Sequence, residues 1–208
     1  GEAALLACEQ AASDINKYLI SIGSDIRVVL NMVEMSSEIE SAREKLTKLD
    51  DTGASAVLTY LSSSQADALL DYSRSQGIVL LATGASSPTL AIPGDNLIRF
   101  TPDDTVQAHV AAKLFSERGI TYVIPLVCKD AWGGSLINAV SQHLAGDVSM
   151  DDGIWYESGT TSYTNLVTEL DQKVGSLLSS IPAEEIAVYA VTGNEIQSIM
   201  TEAADFRY

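Results

Sequence analysis

Residues 54–88 read ASAVLTYLSSSQADALLDYSRSQGIVLLATGASSP, and this stretch decides the fold class. An apolar run from Ala54 to Leu61 ends in three serines, and a segment with helical period follows from Ser64 to Gln76. After Gly77 a second apolar run, Ile78 to Ala82, ends in Thr83-Gly84-Ala85-Ser86-Ser87-Pro88. Short apolar runs bounded by turn residues predict buried strands, and strands that alternate with helices predict a parallel sheet.

The same alternation extends outward in both directions. Upstream, Ala4, Leu5, Cys8, Ala11, Ala12, Ile15 and Leu19 make one helical stripe. Beyond Gly23, the valine-rich run from Ile26 to Met32 predicts a strand and Ser36 to Leu49 a helix. Downstream, helices are predicted over 104–118, 132–144, 163–178 and 195–203, with strands over 120–127, 148–156 and 186–191. The stretch from Thr83 to Asp104 differs: it holds three of the five prolines and only a brief strand-like Leu97 to Phe100. It is the natural boundary between two α/β units, so the expectation is two Rossmann-like lobes with parallel central sheets joined by a hinge, one over 1–103 and the other over 104–208.

Composition narrows the function. Twenty-eight acidic against 12 basic residues give a formal charge of −16, which repels phosphate backbones and anionic lipid surfaces, so nucleic acid is a poor partner. No apolar run reaches the roughly 20 residues that span a bilayer. No G-x-G-x-x-G, Walker, G-x-S-x-G or C-x-x-C sequence occurs, and the two histidines, His109 and His143, lie on separate predicted helices. The sequence therefore predicts no catalytic residues, no cofactor and no metal site. Cys8 and Cys128 fall in a helix of one half and a strand end of the other, which argues against a bridge between them.

Two loops stand out, Leu61 to Gln65 and Thr83 to Pro88, because both lie at carboxyl ends of predicted parallel strands. Open α/β sheets bind ligands at that edge, where helix amino termini offer unpaired N–H groups and serines add hydroxyls suited to a carboxylate. Each loop also has an ordinary structural role, serines as helix caps and Gly-x-Ser-Ser-Pro as a turn. Asp104 stands at the crossover between units, with helix capping as its local alternative, and Trp132 emerges at the equivalent edge of the second unit, with core packing as its alternative.

Taken together these residues resemble the type I periplasmic binding proteins, above all the leucine/isoleucine/valine-binding branch, and the related Venus-flytrap domains of amino-acid receptors. The resemblance rests on Ala11-Ala12-Ser13-Asp14-Ile15-Asn16, the Ser62 to Gln65 loop, Gly77-Ile78, Gly84-Ala85-Ser86-Ser87-Pro88, and Arg99-x-x-Pro102-x-Asp104-x-x-Gln107-Ala108. It implies that Ser63, with Ser62 as a neighbour, and Gly84, Ala85 and Ser86 meet the carboxylate of an amino acid. Asp104 then faces the ammonium, and Trp132 stands where the family commonly has a tyrosine that closes from the second lobe. Thr192, after the strand that ends near Val191, matches a further second-lobe contact only loosely.

The resemblance also implies a function: an extracytoplasmic solute-binding protein of an ABC importer, periplasmic or held at the cell surface, which is not an enzyme. The expected partners are a small-molecule ligand such as a branched-chain or other amino acid and the membrane subunits of the transporter, with any membrane association made by segments outside this sequence. The alternative is the ligand-sensing domain of a membrane signalling receptor. Family members usually begin with a strand before the first helix seen here and continue past the position of Tyr208, so the chain is expected to span the middle of a typical member.

Overall fold

The computed structural model describes residues 2–204. The first half contains α1 (Glu2–Ser21), α2 (Ile39–Asp50), β1 (Ala56–Thr59), α3 (Ser63–Gln76), β2 (Val79–Ala82) and β3 (Leu97–Arg99). The second contains α4 (Thr105–Glu117), β4 (Tyr122–Cys128), α5 (Ala131–His143), β5 (Ser149–Met150), β6 (Ile154–Tyr156), α6 (Thr164–Leu177), β7 (Ile186–Val191) and α7 (Ile196–Ala203). Two sheets result, and every strand pair in them is parallel. One sheet runs β1, β2, β3; in the other, β4 is flanked by β7 on one edge and by β5 and then β6 on the other. The expected lobe boundary after residue 103 falls between β3 and α4.

Alternation along β4 explains the core of the second sheet, since neighbouring residues of a strand face opposite ways. Val123 and Val127 pack with Ala108 and Phe115 of α4 and Leu136 and Val140 of α5. Ile124, Leu126 and Cys128 pack the other way, against Leu166 and Val167 of α6 and Ile199 of α7. Each fully buried leucine or valine contributes about 1.5–3 kcal/mol, so the near-continuous apolar run of β4 reflects burial on both faces.

The first sheet is covered on one face. Val57, Leu80 and Leu97 share a register position and pack with Leu46 of α2 and Leu69 and Leu70 of α3. On the opposite face, in the register of Leu58, Leu81 and Ile98, Leu58 is 57% and Ile98 51% exposed. Here the structure corrects two expectations. The run from Ile26 to Met32 has no regular secondary structure, and Val29 within it is 86% exposed. A strand needs a neighbouring strand to take its N–H and C=O groups, and here side chains take that part: Asn16 donates to the Val28 carbonyl and accepts from the Val28 N–H, both at 2.8 Å, while Ser24 Oγ accepts the Ile26 N–H and Arg27 donates to the Ile26 carbonyl. α1 has its predicted helical form, yet of its stripe only Ala12 is buried, because no sheet face lies under it.

The predicted strand over 148–156 is divided in two. Asp151 Oδ1 accepts the Gly153 N–H at 2.8 Å, and Gly153 adopts a left-handed φ of 74° that only glycine takes easily. This turn breaks the ladder along β4 between β5 and β6.

Both cysteines are free. Cys128 is buried, and that burial, reinforced by the charges of Asp130 and Glu195, pushes its thiol up to about 11, where the reactive thiolate is scarce. Iodoacetamide at pH 8 should therefore add one label to the native chain, at the partly exposed Cys8, and a second only after unfolding, as read by intact mass. Rapid double labelling of native protein would contradict this packing.

Candidate functional site

The turns after β1 and β2 are joined by a hydroxyl. Ser63, buried in the first turn of α3, accepts the Ser87 N–H through Oγ at 3.0 Å and keeps its own proton to donate. Ser62 has the local role: its hydroxyl accepts from the Gln65 N–H while the Gln65 side chain accepts from the Ser62 N–H, a reciprocal cap of α3. Gly84 lets the turns approach, since a Cβ there would sit 2.8 Å from the Leu61 carbonyl oxygen. Ala85 is fully buried, and Arg99 fixes the turn from below by donating to the Ser87 carbonyl at 2.8 Å.

Asp104 lies beside this turn. Its N–H donates to the Ser86 carbonyl at 2.9 Å, and its Oδ2 accepts from Ser86 Oγ at 2.8 Å. Capping of α4 is left to Asp103, whose Oδ1 accepts the Thr105 N–H at 3.0 Å, so the Asp104 side chain is directed elsewhere. Because a serine has one proton to give, Ser86 here serves the Asp104 carboxylate and not an incoming anion.

The second half meets these turns through the start of α5. Asp130 caps that helix by accepting the Gly133 N–H at 2.7 Å. Gly133 is required there, because a Cβ would run into the Cys128 carbonyl and the Val127 side chain. The helix start so placed puts Trp132 against Asp104, with the indole N–H donating to Oδ2 at 2.7 Å. The ring meanwhile packs on the core under α4 and α5, so the core role and the site position coincide. One turn on, Ser135 Oγ lies 2.6 Å from Ser87 Oγ, and the Ala131 N–H donates to Ser64 Oγ at 3.3 Å.

Electrostatically the cluster is unbalanced. Asp104 is only 8% exposed, its hydrogen-bond donors are neutral, and among the described residues no lysine, arginine or histidine pairs with it. Buried carboxylates are ordinarily paired with a cation, because desolvating an unpaired charge costs several kcal/mol. Nearby on β7, the Tyr189 hydroxyl is buried without a hydrogen-bond partner among the described residues, and burial together with the Asp104 charge pushes its phenol up.

The structure thus brings together Ser63, Gly84, Ala85, Ser86, Asp104 and Trp132. Ser62 is adjacent, and Thr192 follows β7 half-buried, with no hydrogen bond joining it to the cluster among the described residues. Sequence reasoning missed Ser64, Ser87 and Ser135. Ser135 carries no loop signal, since it sits inside a helical pattern and its partner lies 48 residues away. Among the described residues no group of three or more His, Cys, Asp or Glu could hold a metal ion. The hollow of about 190 Å³ lined by Leu170, Val174, Leu178, Ala183, Ile186 and Val188 shares no residue with the cluster.

Comparison with known proteins places the chain in a family. A family model described as the receptor family ligand binding region matches residues 3–208. An uncharacterized protein of Methanocaldococcus jannaschii is 22% identical over 205 residues, which cover 95% of this chain and 48% of that protein. Leu/Ile/Val-binding proteins of Citrobacter freundii and Escherichia coli K12 are each 28% identical over 178 residues, covering 83% of this chain and 47% of theirs. The chain spans about half the length of these curated relatives. Among solved structures, an ABC transporter substrate-binding protein of Desulfitobacterium hafniense in complex with Leu aligns with a TM-score of 0.65 at 16% identity, covering 91% of this chain and 56% of that one. That likeness shows the fold, two α/β units with parallel sheets of the periplasmic-binding-protein type I kind. With a match running from residue 3 to residue 208, the chain belongs to the receptor family ligand binding region, the type I periplasmic binding proteins.

Proposed function

We propose that the protein of which this chain forms part is an extracytoplasmic solute receptor that captures an α-amino acid between its two lobes and delivers it to the membrane subunits of an ABC importer. One observation carries the reading: Asp104 is a buried carboxylate at the meeting point of both halves, bonded only to neutral donors. A ligand that brings its own ammonium supplies the missing cation, and the desolvated setting strengthens that pairing.

In this reading Ser63 donates its remaining proton to the ligand carboxylate, helped by the first-turn N–H groups of α3 and the partial positive charge at that helix end. The backbone at Gly84 and Ala85 lies alongside, Ser86 orients Asp104, and Trp132 closes on the ligand side chain, with Thr192 at the second-lobe rim. A helix end contributes only about 0.3–1 kcal/mol when exposed, whereas micromolar binding needs roughly 8 kcal/mol, so several of these groups must act together in a cleft that excludes water. The names of the relatives, Leu/Ile/Val-binding protein and ABC transporter substrate-binding protein, support an aliphatic amino acid and the transport role. Binding alone is the chemistry proposed, with no bond made or broken.

Titration calorimetry against the common amino acids tests the reading, with leucine, isoleucine and valine the ligands expected to bind. Ser86→Ala should weaken binding by roughly 1–3 kcal/mol. Unchanged affinity in both Ser63→Ala and Ser86→Ala would defeat the site.

A further inference from the structure

The chain has two histidines, and the fold brings them together. His109 of α4 and His143 of α5 are 34 residues apart in sequence, yet their ring centroids lie 5.3 Å apart with the ring planes at 90°. Both residues are exposed. One ring is already oriented: His143 Nδ1 lies 2.8 Å from the Ala139 carbonyl oxygen. A carbonyl only accepts, so Nδ1 carries the proton, and in the neutral imidazole this leaves the lone pair of Nε2 free. His109 can adjust to it, because turning an exposed imidazole about its Cβ–Cγ bond moves the nitrogens while the centroid stays almost in place.

We propose that His109 and His143 form a two-imidazole site for a borderline divalent transition ion such as Zn²⁺. Their separation fits, since two imidazoles bound through nitrogen to one tetrahedral ion at about 2.0–2.1 Å have centroids roughly 5 Å apart. A backbone carbonyl on the other ring nitrogen is the usual support of a metal-binding histidine, because it fixes tautomer and ring direction. His143 also stands in the last turn of α5, where unpaired carbonyls favour a cation. Water fills the remaining positions, which makes the site reversible, and the ion ties α4 to α5. The site stands apart from the amino-acid reading: His143 is about 16 Å along α5 from Trp132.

The test titrates zinc chloride into the chain without a histidine tag, in a Cys8→Ser background so that the partly exposed thiol does not compete. Calorimetry should give one ion per chain. The thermal midpoint should rise with zinc, since the ion binds a pair that exists only in the folded chain. His109→Ala and His143→Ala should each weaken binding about tenfold or more, because a chelate is reduced to a single contact, and each should abolish the zinc-dependent rise. In the proton NMR spectrum of the parent, the imidazole signals of both histidines should move together and saturate at one equivalent of zinc. Magnesium, which takes oxygen ligands, should leave them in place. The NMR titration uses the parent chain, so it stands even if a variant folds poorly. Zinc that moves the signals of one histidine only, stoichiometric binding that survives in the double variant, or no binding up to millimolar zinc would overturn the proposal.

Discussion

Asp104→Asn is expected to lower the affinity for α-amino acids by about a hundredfold or more while leaving the fold intact. Asparagine keeps the shape and an acceptor oxygen for Ser86 Oγ and the Trp132 indole, the two donors that now bond Oδ2. What it removes is the charge. An ammonium buried against a neutral amide loses the charge-assisted bond and is left uncompensated, and truncating one partner of such a pair costs about 2–5 kcal/mol. Stability should move the other way. Among the described residues no cation pairs with this buried carboxylate, so its neutral replacement should hold or raise the thermal midpoint. Calorimetry and a thermal melt on the same preparation separate the two effects. Loss of binding accompanied by a collapsed midpoint would make Asp104 a structural residue.

The second large effect concerns the backbone under Trp132. Gly133→Ala should destabilise the chain by about 3 kcal/mol, because the new methyl group must overlap the Cys128 carbonyl and the Val127 side chain, neither of which has a free direction of retreat. Val127 is fully buried in the core between β4 and the pair α4 and α5. In a chain of this size such a loss lowers the thermal midpoint by roughly 6–12 °C. Relief by sliding α5 away would carry Trp132 and Ser135 off Asp104 and Ser87. Gly134→Ala is the control: nothing lies within 4 Å of a Cβ there, and the midpoint should hold. Equal behaviour of the two variants would show that the start of α5 is not packed as described.

These two cases also show why part of the molecule was legible in the sequence and part was not. Local rules were sufficient where the structure is local. The apolar run of β4, the serine cap of α3 and the glycine turn at Gly77 follow from periodicity and turn chemistry, and their residues lie where those rules put them. The expectation for Ile26 to Met32 failed because strand propensity describes a segment that has a neighbouring strand, whereas here the side chains of Asn16, Ser24 and Arg27 bond its backbone. Likewise, residues 148–156 carry enough apolar character for one strand, yet the Asp151 and Gly153 pair makes a turn that interrupts the ladder.

The candidate site was legible to a different depth. The serine loops and Asp104 announced themselves by position at strand ends, and the resemblance to a known family gave them roles. That Asp103 and not Asp104 would cap α4 was not readable, since adjacent aspartates are equivalent to any one-dimensional rule. Nor were Ser87 and Ser135 readable as a pair, because their contact depends on how two sheets are set against each other. Trp132 had been weighed as either core or site; its ring is in the core and its N–H is in the site, a division between the two ends of one side chain that indole chemistry permits.

The central proposal is that Asp104 receives the ammonium group of the ligand. A crystal structure of the protein with a bound branched-chain amino acid tests it most directly. The account predicts the ammonium nitrogen within hydrogen-bond distance of the Asp104 carboxylate, about 3 Å, with the Trp132 N–H displaced from it. An amino acid bound with its ammonium elsewhere, while Trp132 and Ser86 still hold Asp104 between them, would contradict it.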